Sequence, residues 1–333
     1  MLAEKESSER QIKIFTYSFF LFFCIFMILV AVFQLFGSSN DYVGYKKIFT
    51  FSYGEKRNST EPFFRFLRFL NDNYFNSSIL TIFIFTSVFS FCLKWNAFKR
   101  ITGKKSYFLF FCHTMCFFGI LEYTQIRASC AIAIFLYSLN DLKNNKYRNY
   151  LLKAFIATLF HYSAFTMFIF YIYVRIFRSK KMYILLPVIG FFFSVICDEI
   201  LGSELRNILY VLEKASGLNK SGNVSDFMSP FNTKYLLLLV TFAVNAVFTK
   251  ENDSVNIILM KAVSFGLCFY YWLNPIGLPV ISVRLAEFYT SVFVLYYFMN
   301  IRNFPLKEKK PLLVIPISMF LAYSAASIKT GIL

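Results

Sequence analysis

The sequence predicts an all-α fold, a polytopic integral membrane bundle of roughly 9–11 membrane helices, some of them short, broken or re-entrant. Three observations predict it. Of the 333 residues, 57% are apolar and only 16% are charged, whereas a soluble globular chain runs at about 45–50% and about 25%. Apolar runs near membrane-spanning length recur along the whole chain. Basic residues gather in the short segments between those runs, as the positive-inside rule requires. A soluble enzyme, a disordered chain and a disulfide scaffold are excluded on composition.

A helix needs about 20 mostly apolar residues to cross a bilayer. The first run, 15–36, carries no charge. It is expected to be an uncleaved anchor, because it lacks the short core and small-residue cleavage site of a signal peptide. Further runs lie at 78–93, 107–121, 128–139, 151–174, 183–197, 235–248, 255–273, 279–299 and 311–328. No repeat, low-complexity tract or Pro/Gly linker divides them, so one integral membrane domain over 1–333 is expected.

Lys and Arg outnumber Asp and Glu by 35 to 18, a net charge of +17. Four short loops hold much of the excess: 94–106, 140–150, 175–182 and 300–310. All four read as cytoplasmic. The run 151–174 lies between two of them, and a single crossing would separate those loops across the membrane. Two short helices with a break at His161 resolve the parity and leave 22 of the 35 basic residues on the cytoplasmic side. Such broken helices are tolerated where they line a protein-walled cavity.

With the N-terminus inside, two long loops face outward, at about 38–77 and 199–233. The first contains Pro62-Phe63-Phe64-Arg65-Phe66-Leu67-Arg68-Phe69-Leu70, where apolar and basic residues interleave at helical spacing. That pattern suits a helix lying in the interface plane. The second, Gly/Ser-rich around Ser216 to Ser229, reads as a flap over a site.

Polar residues at or near membrane depth outside the basic loops are candidates for function. They collect near the outer face: Asp41, Tyr42 and Tyr45; Glu61, Arg65 and Arg68; Glu122, Gln125 and Arg127 in a short turn; His161 at the break; Arg284 and Glu287 early in the span from 279. Each also has a purely structural explanation. Asp41 and Glu61 suit solvated loop acids, and Arg65 and Arg68 suit interfacial anchors. Glu122 with Arg127, and Arg284 with Glu287 three residues on, suit local ion pairs. His161 suits a hydrogen bond within the bundle.

Cys112, His113 and Cys116 have helical spacing but no fourth ligand, so packing is the simpler account. All seven cysteines fall in apolar runs and behave as small buried hydrophobes. Phosphate-loop, dinucleotide, zinc-protease and nucleophile-elbow motifs are absent, as is an Asp-x-Asp pair.

Five segments, in order, resemble the EpsG-like, Wzy-type polymerases of bacterial surface polysaccharides. They are Asp41-Tyr42 with Tyr45; Glu61-Pro62-Phe63-Phe64; Gln125-Ile126-Arg127-Ala128-Ser129-Cys130-Ala131; Phe160-His161-Tyr162-Ser163-Ala164; and Arg284-Leu285-Ala286-Glu287-Phe288-Tyr289. The family's arginine turn often reads Ile-Arg-Gln, and Ala128 stands here in the Gln place.

The resemblance implies a glycosyltransferase of the inner membrane with its active site facing the exterior. It would move a growing glycan from undecaprenyl pyrophosphate onto an incoming lipid-linked repeat unit, with no cofactor, metal or nucleotide. Implied partners are undecaprenyl-pyrophosphate-linked oligosaccharides, membrane lipid, a chain-length regulator and a flippase, with no nucleic acid. A planar guanidinium makes two parallel hydrogen bonds to phosphate oxygens, so Arg127, Arg284 and Arg65 are candidate pyrophosphate ligands. Either His161, whose unperturbed pKa is about 6.5, or a carboxylate among Asp41, Glu61 and Glu122 would be the base. Tyr42, Tyr45, Gln125, Glu287 and Tyr289 are candidate sugar contacts. A flippase for the same lipids and a membrane O-acyltransferase are the competing readings. A flippase calls for inverted repeats, and an acyltransferase has less use for the two arginines.

Overall fold

The computed structural model describes residues 2–35, 38–50, 61–76, 78–103, 106–200, 229–276 and 278–301. All regular structure among them is helical, and the chain is an all-α multi-pass membrane protein. Among the described residues, six helices are long and apolar enough to cross a membrane: Phe15–Phe33, Ile79–Thr102, Ser106–Thr124, Lys180–Cys197, Ser254–Leu273 and Val280–Asn300. The apolar run at 311–328 and most of the second outer loop lie outside the described residues. Phe15, Phe22, Ile84, Phe155, Phe192 and Val247 are exposed. In water such a surface would aggregate; against lipid it needs no further cover.

The chain divides into two compact units. Among the described residues, one holds those up to 137 together with 156–162, and the other holds 138–155 and those from 163 to 301. In the first unit α1 is Leu2–Phe33, α2 Asn40–Thr50, α3 Pro62–Tyr74, α4 Ile79–Thr102 and α5 Ser106–Phe118. The last continues as a π-turn, Gly119–Thr124, and α6, Ile126–Lys143, comes next. Helix α4 is the hub, packing against α1, α2, α3 and α5. An aromatic cluster joins α1, α4 and α5, with the Phe20 ring 4.4 Å from Trp95 and 4.9 Å from Tyr107.

Helix α4 extends well past the apolar run that predicted it. The loop expected at 94–106 is therefore corrected: Lys94, Lys99 and Arg100 are helical. Lys94 is buried, at 1% exposure. The helix stops at Gly103, whose φ of 60° lies in the region glycine reaches without strain.

The break expected at His161 is present. Helix α7 runs Tyr147–Phe160, His161 is non-helical, a 3-10 turn covers Tyr162–Phe165, and α8 runs Thr166–Ile176. Contacts in the second unit make the arms antiparallel. Near the open end, the Arg175 guanidinium lies 4.7 Å from the Tyr147 ring centroid, and Tyr147 stands 5.6 Å from Tyr171. One turn further in, the Tyr150 hydroxyl donates to the Met167 carbonyl at 3.1 Å. Arms of 14 and 11 residues rise only about 21 and 17 Å, short of the roughly 30 Å of a hydrocarbon core.

In the second unit α9 spans Lys180–Ile200, α10 Thr233–Phe248, α11 Ser254–Leu273, α12 Pro279–Thr290 and α13 Phe293–Asn300. Helix α11 is the centre, packed by α8, α9, α10, α12 and α13. Its Gly266 lets α12 close in. A Cβ there would stand 3.0 Å from the Ala286 carbonyl oxygen and the Thr290 methyl group.

The hairpin makes a prediction about sidedness. Asn144→Cys and Ser179→Cys, each at an exposed position just outside an arm, will label from the same side of the membrane with an impermeant maleimide. Labelling from opposite sides would mean a single crossing.

Candidate functional site

Four segments of the first unit bring the polar candidates together. Glu61 is the N-cap of α3, with Pro62 at the first helical position, where its missing N–H is no loss. Arg127 is the second residue of α6. His161 comes directly after the last turn of α7, its N–H donating to the Ala157 carbonyl at 2.9 Å. Asp41, Tyr42 and Tyr45 lie on α2, which starts where the Ser39 hydroxyl accepts the Tyr42 N–H at 3.1 Å. Gln34 braces this entry, bonding the Ser39 N–H at 3.2 Å and the Tyr123 carbonyl at 3.1 Å.

Glu61 is the joint between them. Its Oε2 accepts from Arg127 Nη1 at 2.5 Å, and its Oε1 meets His161 Nδ1 at 2.8 Å. Glu61 is 3% exposed. Beside it the Phe63 ring stacks on Phe160 at 3.9 Å, and Phe89 stacks on Phe160 at 5.1 Å. Phe63 is two residues from Glu61 and Phe160 is next to His161, so the stack steadies the backbone on both sides of the bond.

Burial by itself would raise the Glu61 carboxyl. The hydrogen bond from His161 and the charge of Arg127 outweigh it and hold the group below the ordinary carboxylate range. The Arg127 guanidinium lies 5.4 Å from the centroid of the Tyr45 ring. Burial pushes the Tyr45 hydroxyl up to about 12, opposed by Arg127 and assisted by Asp41. Arg127 keeps spare donors. Its Nε–H is buried without a hydrogen bond among the described residues. The imidazole is similarly half used, because Nδ1 is engaged and Nε2 has no partner among the described residues. In the neutral ring, Nδ1–H donates to Glu61 and the Nε2 lone pair is left to accept a proton.

The other candidates are placed differently. Glu122 sits on the π-turn, buried, in an ion pair with Lys94; it does not pair with Arg127. Gln125 closes that turn through its N–H to Ile120 at 3.0 Å. Tyr42 is half-buried against Phe83 at 5.2 Å. Arg65 is exposed, and Arg68 pairs with Asp72 along the same helix at 3.6 Å. His113 packs between the rings of Phe98 and Phe117, at 5.1 and 5.0 Å.

In the second unit Glu287 pairs with buried Lys234 at 2.7 Å, and Arg284 is exposed. Tyr289 is fully buried, its hydroxyl 2.9 Å from Thr166 Oγ1. Lys94, Ser90 and Ser129 escape sequence reasoning. A signal exists all the same: Trp95, Ala97 and Phe98 carry the apolar pattern past Lys94.

The fold and this cluster define a class, a multi-pass helical membrane protein with a buried carboxylate joining an arginine to a histidine. The chain belongs to the EpsG family, which it matches over residues 17–332. Membership points to a function of the polysaccharide-polymerase kind, on lipid-linked substrates. No curated protein and no solved structure matches the chain.

Stability should report the joint directly. Arg127→Ala strands a buried carboxylate and will lower unfolding stability by about 3 kcal/mol, read by thermal unfolding of the purified protein. Glu61 is lowered on folding, so its contribution is full above its unfolded pKa of about 4.3 and is lost as pH falls through the lower folded value. Glu61→Gln will flatten that acid limb of the stability profile.

Proposed function

We propose that the chain is a Wzy-type polysaccharide polymerase of the bacterial inner membrane, working at the outer face. In this reading it transfers a growing glycan from undecaprenyl pyrophosphate to the sugar of an incoming lipid-linked repeat unit. Support comes from the family and, above all, from the Glu61 bridge between Arg127 and His161.

His161 is the base. Glu61 accepts from Nδ1–H, fixes the tautomer and orients the ring, so Nε2 takes the proton of the attacking hydroxyl. The hydroxyl oxygen forms the new bond to the anomeric carbon. The bond from that carbon to the pyrophosphate oxygen breaks, and the pyrophosphate leaves with the electron pair. Negative charge grows on the leaving group as the bond lengthens, and donors aimed there favour the transition state over the ground state. Arg127 supplies them from the part of its fork that Glu61 does not occupy. Holding Arg127 on Glu61 also keeps the guanidinium oriented before substrate arrives.

This assignment leaves Glu61 a positioning group. A carboxylate shared by a guanidinium and an imidazole, with a lowered pKa, is a poor proton acceptor near neutral pH. Tyr42, Tyr45 and Gln125 remain proposed sugar contacts of the same unit, and Asp41, a candidate base on the sequence, is proposed here as a further one. Arg284 is proposed as an anion contact on its own unit, and Arg65 as a headgroup contact from α3. A chain-length regulator and a flippase are the proposed partners.

The test is complementation of a deletion strain, with surface polysaccharide run on a gel. His161→Ala and Arg127→Ala, at normal abundance, will give single-repeat product in place of a ladder. Full ladders from both would overturn the site. Loss of all exported repeat units in the deletion strain would point to a flippase.

A further inference from the structure

A second polar cluster lies behind Arg127 in the first unit. Lys94 of α4 reaches Glu122 in an ion pair and Ser129 Oγ at 2.9 Å. Ser129 Oγ is 2.7 Å from Ser90 Oγ and donates to Glu122 at 3.2 Å. All four side chains are buried, between 1% and 5% exposed. A charge pair this deep, closed by two hydroxyls, has little access to an external ligand. Its place in the chain suggests another use.

Glu122 lies five residues before Arg127 and Ser129 two after it. Glu122 sits within the π-turn that ends α5, Gln125 breaks the helix at φ −98° and ψ 58°, and α6 begins at Ile126. A π-turn carries one extra residue per turn, is rare, and is frequent at functional sites. Residues 127 and 129 stand about 200° apart on a helix. With Ser129 held toward α4, Arg127 is directed to the opposite face, where Glu61 meets it.

We propose that Lys94, through Glu122 and Ser129, is the positioning residue for Arg127: it holds the π-turn before the break at Gln125 and the first turn of α6 after it, and so sets the rotation of α6 that brings the guanidinium to Glu61. The inference rests on Arg127 as the anion-binding group of the reaction above, and its geometry can be tested without any reaction.

The experiment is a double-mutant cycle on the Glu61–Arg127 pair, read by thermal unfolding of the purified full chain. It is run in the parent and in a Lys94→Met/Glu122→Leu background, since replacing both members of a buried pair by apolar residues is better tolerated than removing one. The Asp141–Lys153 ion pair serves as a control cycle. The Glu61–Arg127 coupling is expected to fall by roughly tenfold in equilibrium constant, while the control holds. An undiminished coupling, or an equal fall in both cycles, overturns the proposal. If the double variant does not fold, Ser129→Ala replaces it, with a smaller fall expected and the same overturning results. In a polymerisation assay with the purified chain, Lys94→Met/Glu122→Leu should lower kcat more than it raises KM. Loss of coupling in a chain that makes no polymer even as the parent would uphold the positioning and reject the catalytic reading.

Discussion

A carboxylate that is 3% exposed keeps its charge in apolar surroundings only if donors replace the water it has lost. Glu61 has two, one on each oxygen. Each donor comes from a distant part of the chain, 66 and 100 residues away. The start of α3, the start of α6 and the end of α7 are therefore fixed relative to one another by a single side chain. The phenylalanine stack of Phe63, Phe160 and Phe89 supplies the apolar half of the same joint. It excludes water, which strengthens the charged bonds beside it.

The membrane explains why the chain breaks where it does. Backbone groups at membrane depth must be bonded within the protein, so a helix can end there only if its final carbonyls and the next N–H groups find partners. The exit at His161 meets that condition in part through its bond to Ala157 and the immediate 3-10 turn. In exchange the site obtains a histidine at the tip of a hairpin instead of on the side of a long rod. The imidazole is then free to be oriented by Glu61.

The helical bundle, the first span and the break at His161 can be read from the sequence because each leaves a local or counting signal: apolar length, or the parity of basic loops. Glu61, Arg127 and His161 can be singled out one at a time, since charge at depth is conspicuous in an apolar chain. Their pairing cannot, because nothing local links positions 61, 127 and 161. Local proximity in fact points elsewhere. Arg284 and Glu287 are three apart, yet Glu287 bonds Lys234. An exposed pair along a helix is worth only a few tenths of a kcal/mol, whereas buried Lys234 needs a carboxylate far more. Glu122 is drawn away from Arg127 in the same manner by Lys94. That lysine reads as a loop charge in the sequence because the helix holding it runs beyond its strictly apolar portion.

Phenylalanine outnumbers tyrosine by 46 to 22, yet the tyrosines of the second unit have a separate part. Tyr173 meets Ser264, Tyr289 meets Thr166, Tyr296 meets Thr249, and Tyr235 meets the Val283 carbonyl. Phenyl surfaces slide over one another at little expense, because dispersion is nearly indifferent to a shift along the axis. A hydroxyl bond in a dry interior has one address. These four bonds act as detents between helices that grease alone would leave free to creep. Stripping the oxygens while keeping the rings would leave a bundle with its hydrophobicity intact and its vernier lost.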